Sequence, residues 1–136
     1  MTVVIDCNIL VMCLTSRSPY HLIFQSLVSG KFSLALTSDI LLEYEEVLQQ
    51  KYNTTTAKTF ITLLNELPNV NFVHNYFHWH LITKNPDDNK YCDCAVATQA
   101  SYIVTEDRHF EVLKNIPFPF ITTLRIDEFM DILRTL

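Results

Sequence analysis

The chain opens on Val3-Val4-Ile5, three β-branched residues in a row, and runs at once into Asp6. A short run that is apolar on both faces predicts a strand buried inside a parallel sheet. A carboxylate at the end of such a strand is poorly placed for stability, because a desolvated charge is costly unless something pairs with it. In open α/β sheets the carboxyl edge of the strands is also where ligands bind. Asp6 is therefore read as the anchor of an acidic, metal-binding pocket, to which the rest of the chain brings further acids.

Strand and helix signals alternate after that point. The next stretch is mixed until Ser18-Pro19, which pairs a capping residue with a first-turn proline. Leu22, Ile23, Leu27 and Val28 give a helical stripe, closed by Gly30, the single glycine. Residues 32–36 read as a second strand. Thr37 or Ser38 caps a helix to about Lys51, with Ile40, Leu41, Tyr44, Val47 and Leu48 on its apolar face. Asn53-Thr54-Thr55 restarts the chain into a helix through Phe60, Ile61, Leu64 and Leu67, ending before Pro68. Residues 70–73 form a third strand, and residues 74–86 carry no assignable pattern. Asp87 or Asp88 opens a helix carrying Tyr91, Ala95, Val96 and Ala97. Tyr102-Ile103-Val104 is a fourth buried strand. A short helix, a strand near residues 120–123 and a helix from about Ile126 complete the pattern. The alternation implies an α/β fold: one domain, residues 1–136, in three α/β/α layers around a central, mostly parallel sheet.

Hydrophobic residues are 49% of the chain and charged ones 18%, values of a globular protein and not of a disordered one. No apolar run approaches the ~18 residues of a membrane span, and the amino terminus carries no secretory pattern. A cytoplasmic protein is expected, with Cys7, Cys13, Cys92 and Cys94 as reduced, packed thiols. The one-residue spacing of Cys92 and Cys94 does not suit a structural zinc site. The net charge of -5 excludes a protein that coats nucleic acid by bulk electrostatics. It does not exclude an enzyme that meets nucleic acid through metal ions.

Asp6 and Asp107 both follow strands closely, so parallel neighbouring strands would deliver them to one sheet edge. Asp87 and Asp88 open a helix, where one Asp would suffice as a cap. Glu43 borders the apolar stripe of its helix, either turned inward as a ligand or solvated on the surface. Clustered carboxylates repel one another, so such a pocket makes sense around a cation, with Mg2+ or Mn2+ suited to oxygen ligands. His78-x-His80 lacks a further ligand at suitable spacing. Asp93, five residues past Asp88, is an outside candidate for the pocket. Tyr20, Phe77 and Trp79 are either base-stacking or packing residues.

Asp6-Cys7-Asn8 resembles the opening motif of PIN-domain ribonucleases. Leu41-Leu42-Glu43-Tyr44-Glu45-Glu46-Val47-Leu48 is similar to the family's second motif, Asn85-Pro86-Asp87-Asp88-Asn89-Lys90-Tyr91 to its third, and Ile103-Val104-Thr105-Glu106-Asp107 to its fourth. The likeness covers nearly the whole chain and points to the VapC-like branch of toxin–antitoxin toxins. It implies Asp6, Glu43, Asp88 and Asp107 as direct or water-mediated ligands of Mg2+ or Mn2+, with Asp87 replacing or assisting Asp88. Asn8 and Thr105 would hold the carboxylates by hydrogen bonds. It also implies hydrolysis of single-stranded RNA to 5′-phosphate and 3′-hydroxyl ends, a small antitoxin partner, and a homodimer to which the apolar Phe129-Met130-Asp131-Ile132-Leu133 contributes. Glu106 is either a surface residue or a fifth pocket acid. Arg17, Lys90 and Arg108 are either phosphate contacts or ordinary surface charges.

Three other readings compete. Phosphatases of the haloacid dehalogenase type need a second Asp two residues after the first, where this chain has Asn8. A receiver-like phosphoacceptor needs an Asp after the third strand and a Lys after the fifth, where this chain offers His74-Asn75 and Arg125. The third is a catalytically silent PIN-like module for nucleic-acid binding or assembly, against which the presence of all four acids counts.

Overall fold

The computed structural model describes residues 1–74 and 77–136; Asn75 and Tyr76, within the unassigned stretch 74–86, lie outside the described residues. Strands β1 (Thr2–Ile5), β2 (Ser33–Leu36), β3 (Val70–Phe72), β4 (Tyr102–Val104) and β5 (Thr123–Leu124) form a five-stranded sheet in the order β3-β2-β1-β4-β5. Every pairing in it is parallel. Val3, Val4 and Ile5 are wholly buried, as a strand covered on both faces must be.

Among the described residues six α-helices complete the three-layer α/β/α fold: α1 (Cys7–Cys13), α2 (His21–Val28), α3 (Ser38–Lys51), α4 (Thr54–Glu66), α5 (Asn89–Thr98) and α6 (Ile126–Arg134). Two 3-10 segments, Pro86–Asp88 and Arg108–Asn115, lie before α5 and after β4. Thr37 caps α3 by accepting from the Ile40 N–H, and Asn53 caps α4 by accepting from the Thr56 N–H. Gly30 sits at φ +79°, the left-handed region that ends a helix at little steric cost in glycine.

What positions the site is the point where the strand order reverses, between β1 and β4. Ile5 and Val104 are paired in register. Asp6 and Thr105 therefore leave the sheet side by side. The Asp6 N–H still donates to the Val104 carbonyl at 3.0 Å, and the Thr105 N–H to the Leu124 carbonyl at 2.9 Å.

Three local features differ from the sequence pattern. The mixed stretch after Asp6 is a helix, α1, whose seven residues are too few to show a stripe although Ile9, Leu10 and Cys13 are buried. Helix α2 begins at His21 and not at Ser18-Pro19, because the Ser18 hydroxyl closes a turn instead, donating to the Met12 carbonyl and accepting from the Tyr20 N–H. Strand β5 begins at Thr123, leaving Phe120 exposed.

The terminal apolar segment, expected at a dimer interface, instead packs inward. Phe129, Met130 and Leu133 are buried within the chain itself, and the Phe129 ring meets Phe32 edge-on at 5.3 Å between centroids. That stripe closes the domain's own core and is not available to a second copy. Phe129→Ala is accordingly expected to cost about 3–5 kcal/mol of stability, read from urea unfolding. Among the described residues no helix is long and apolar enough to cross a membrane.

Candidate metal centre

Each of the four acids arrives from a different element. Asp6 follows β1, Asp107 lies three residues past the end of β4, Glu43 sits in the second turn of α3, and Asp88 precedes α5. The Thr105 hydroxyl links the first two: it donates to Asp6 Oδ2 at 2.8 Å and accepts from the Asp107 N–H at 3.0 Å. Asp107 Oδ1 in turn accepts from the His109 N–H at 2.9 Å. One oxygen each of Asp6 and Glu43 lies within 4.8 Å of the Cys7 sulfur and of each other, and Asp88, Asp107 and His109 form a second such group.

The two groups share one electrostatic field. Burial raises the Asp6 carboxyl above its ordinary value; the Thr105 hydrogen bond works against this, and the charges of Glu43 and Asp107 add to it. Burial, then the charges of Asp107 and Asp6, push Asp88 up to about 6. Asp88 reports most directly on what the site could hold. It is only 9% exposed, and its Oδ2 has no hydrogen-bond partner among the described residues. The His109 ring nitrogen Nδ1 stands at 3.5 Å. Nor does Asp88 cap α5, since its side chain makes no cap hydrogen bond. A buried, unpartnered carboxylate oxygen beside other carboxylates is accounted for by a cation.

Glu43 takes the inward orientation. Tyr91 donates its hydroxyl to Oε1, and Lys90 Nζ donates to Oε2 at 2.9 Å. The Tyr91 oxygen also accepts from the Cys7 N–H at 3.3 Å, which ties α5 to the start of α1 beside Asp6. Lys90 also donates to Asp87 Oδ2 at 3.0 Å. Burial opposes the Lys90 charge, yet these two bonds prevail and hold the ammonium above its usual value. Asp87 is held below its ordinary value by the same lysine.

Lys90 is engaged by two carboxylates, and Asp87, with its side chain 72% exposed, lies on the outside of that pair. Asn8 is exposed in the first turn of α1 and makes no side-chain hydrogen bond among the described residues; Arg17 is exposed ahead of α2. Arg108 is exposed and lines a cleft next to the acids. Glu106 faces away from the pocket, accepting from the Ile126 N–H at 2.6 Å and pairing with Arg125 at 2.7 Å. Asp93 is buried, accepts from the Trp79 N–H at 3.0 Å and lies 3.3 Å from His78 Nδ1. All four cysteines are free and buried.

Sequence reasoning gives no site role to His109 or Tyr91. His109 belongs to no strand-end or helix pattern, and the role of Tyr91 depends on a contact with Glu43, 48 residues away. The donor set is mostly carboxylate oxygen. Burial, then the charges of Asp6 and Glu43, push the Cys7 thiol well above its ordinary value, so it stays protonated and is a poor ligand. Such a set fits a hard divalent cation. Because Thr105 orients Asp6, Thr105→Val is expected to weaken Mn2+ binding about 10–100-fold with the fold retained, measured by calorimetric titration.

The family model of the PIN domain matches residues 2–109. The chain belongs to the PIN-domain family. All four acids of this PIN domain lie within the matched span. Solved structures with the same fold include VapBC2 from Rickettsia felis bound to a DNA fragment from their promoter, 16% identical with a TM-score of 0.62, covering 92% of this chain and 98% of that one. VapBC-1 from nontypeable Haemophilus influenzae is 16% identical with a TM-score of 0.63, covering 93% and 99%. The PIN domain endonuclease Utp24 is 13% identical with a TM-score of 0.55, covering 91% and 84%. At such identities the likeness concerns the fold. No curated protein sequence matches the chain.

Proposed function

We propose that this PIN domain is a metal-dependent endoribonuclease that hydrolyses phosphodiester bonds of single-stranded RNA, and that it acts in the cytoplasm as the toxin of a toxin–antitoxin pair. The observation that carries the catalytic part is the unpartnered, buried Asp88 oxygen within a pocket of four acids. The toxin part is supported by the resemblance of the motifs and by the fold shared with chains of two VapBC structures. A small antitoxin protein is then the expected partner, tested by co-purification from the native operon.

Asp6, Glu43, Asp88 and Asp107 would hold Mg2+ or Mn2+, directly or through water. Such an ion, when bound, polarises the scissile phosphate and lowers the pKa of an attacking water. The chain's own contribution is orientation. The Thr105 hydroxyl fixes the rotamer of Asp6 and the approach of Asp107. Tyr91 and Lys90 hold the two oxygens of Glu43 toward the pocket. The His109 N–H holds Asp107 Oδ1. These bonds keep mutually repelling carboxylates assembled, so little reorganisation is needed when metal and substrate arrive.

The test is cleavage of an end-labelled single-stranded RNA with Mn2+ or Mg2+, compared with EDTA and with analysis of the product ends. Metal-dependent cleavage leaving 5′-phosphates is the expected result. Cleavage unaffected by EDTA contradicts the reading.

A further inference from the structure

We propose that the cleft beside His109, continued by the Phe77, Trp79 and Phe118 rings of the adjoining chain, is the track on which a single-stranded RNA lies, its phosphates on Lys84, Arg108 and Lys114 and its bases on the ring faces open to solvent. The proposal rests on the ribonuclease reading and names how the substrate is held outside the acids.

Ile82, Thr83 and Lys84 face the 3-10 segment Arg108–Asn115 across a cleft of about 640 Å³, a volume typical of ligand-holding clefts. Lys84, Arg108 and Lys114 line it, with Glu111 as the single acid. All three cations are exposed, and none pairs with a carboxylate among the described residues. In a chain of net charge -5 the cleft carries a local excess of positive charge. Lys90, Arg125 and Arg134 are neutralised within the chain, and Arg17, Lys31, Lys51 and Lys58 are exposed singly elsewhere, so what sets these three apart is that they share one cleft.

Two further observations give the cleft a direction. At one end it shares His109 with the metal centre, whose Nδ1 stands 3.2 Å from Asp107 Oδ1 and 3.5 Å from Asp88 Oδ2. Outside the cleft, the loop that supplies Ile82, Thr83 and Lys84 and the chain that follows Asn115 meet through aromatic rings. Phe77 and Trp79 lie 4.7 Å apart between centroids, and Trp79 and Phe118 lie 5.8 Å apart. Phe77 is 65% and Phe118 77% exposed, so large apolar faces stand uncovered in water. The loop that carries Phe77 and Trp79 is anchored to α5. Asp93 accepts from the Trp79 N–H, and the Asn89 amide both accepts from the Ile82 N–H and donates to the Ile82 carbonyl, each at 2.8 Å.

Acids to hold a cation, then unpaired cations, then exposed ring faces make a sequence that matches one kind of ligand. Unpaired cations track a phosphate backbone, and aromatic faces stack bases whose own faces are open. A duplex hides its base faces and would use only the cations. Buried Asp93 is thereby explained as a positioning residue for the loop.

The experiment is fluorescence anisotropy of a labelled RNA of about 12 nucleotides, single-stranded and annealed to its complement, in EDTA at low salt. Wild type is expected to bind the single strand more tightly than the duplex. Lys84→Ala combined with Lys114→Ala should weaken single-strand binding about tenfold and flatten the dependence of log affinity on log salt by about 1.4. Phe118→Ala should weaken it about tenfold with the salt slope unchanged. Mn2+ affinity should be that of wild type in each variant, which shows the acidic site folded. Wild-type RNA affinity and slope in the lysine variant would overturn the proposal, as would equal binding of strand and duplex. So would wild-type RNA binding by Phe118→Ala together with loss of a co-purifying protein, which would assign the rings to a protein partner. Failure of the ribonuclease reading looks different: the strand is bound through the cleft but left uncut with Mn2+.

Discussion

Asp6→Asn is expected to slow metal-dependent RNA cleavage about 10³-fold, measured in single-turnover assays. The substitution keeps the shape of the side chain, and the Thr105 hydroxyl that donates to Asp6 Oδ2 can still donate to an amide oxygen. The change is therefore confined to charge. That charge sits at the meeting point of β1 and β4, where it faces both Glu43 and Asp107. A carboxylate buried there without an ion is a cost to the fold, so the metal-free variant should be at least as stable as wild type while activity collapses. Loss of both activity and stability together would instead mark Asp6 as a structural residue.

The second large effect concerns pH. Asp88 holds its proton to about 6 in the folded chain against an ordinary 3.8. Between those values the folded state binds more protons than the unfolded one, so stability must fall as pH rises through the window and stay reduced above it. The raised Asp6 carboxyl acts in the same direction. Metal-free wild type should thus melt at lower temperature at pH 7 than at pH 4.5, as far as these groups are concerned. Asp88→Asn should remove much of that slope and raise the metal-free melting temperature at pH 7 by about 4 °C, the value of roughly 1 kcal/mol in a domain of this size. With saturating Mn2+ the order should reverse, because ligand binding stabilises the wild-type fold and the variant has lost a ligand. Thermal melts of both proteins, with Mn2+ and with EDTA, decide it. A metal-free Asp88→Asn protein less stable than wild type would show that the buried carboxylate stabilises the fold by itself.

The acids differ in how legible they are in the sequence. Asp6, Thr105 and Asp107 follow from strand order and register, since parallel neighbours deliver their next residues to one edge, and each strand is marked by an uninterrupted apolar run. Asp88 is legible as one of a pair; the structure separates the two by burial, with Asp87 turned out to Lys90. Glu43 is legible only as bordering a stripe. Its inward turn depends on Tyr91 and Lys90 across a gap of nearly 50 residues, a contact no local period encodes. Asn8 matches a motif yet points to solvent, because α1 starts at Cys7 and its first turn carries residue 8 outward. Glu106, Asp93 and the terminal apolar stripe are ambiguous in the sequence for a common reason. A charge or an apolar face is functional or structural according to what packs on it, and their partners Arg125, Trp79 and Phe32 come from elsewhere in the chain.

The most direct measurement of the central claim is a calorimetric titration of Mn2+ into metal-free protein near pH 6, repeated in buffers of different ionisation heat. A centre built on Asp6, Glu43, Asp88 and Asp107 predicts saturable binding that releases protons, because Asp88 must ionise to serve as a ligand. It also predicts affinities at least about tenfold weaker in Asp6→Asn and in Asp88→Asn. Folded wild-type protein that binds no Mn2+, or binding unchanged in both variants, would contradict it.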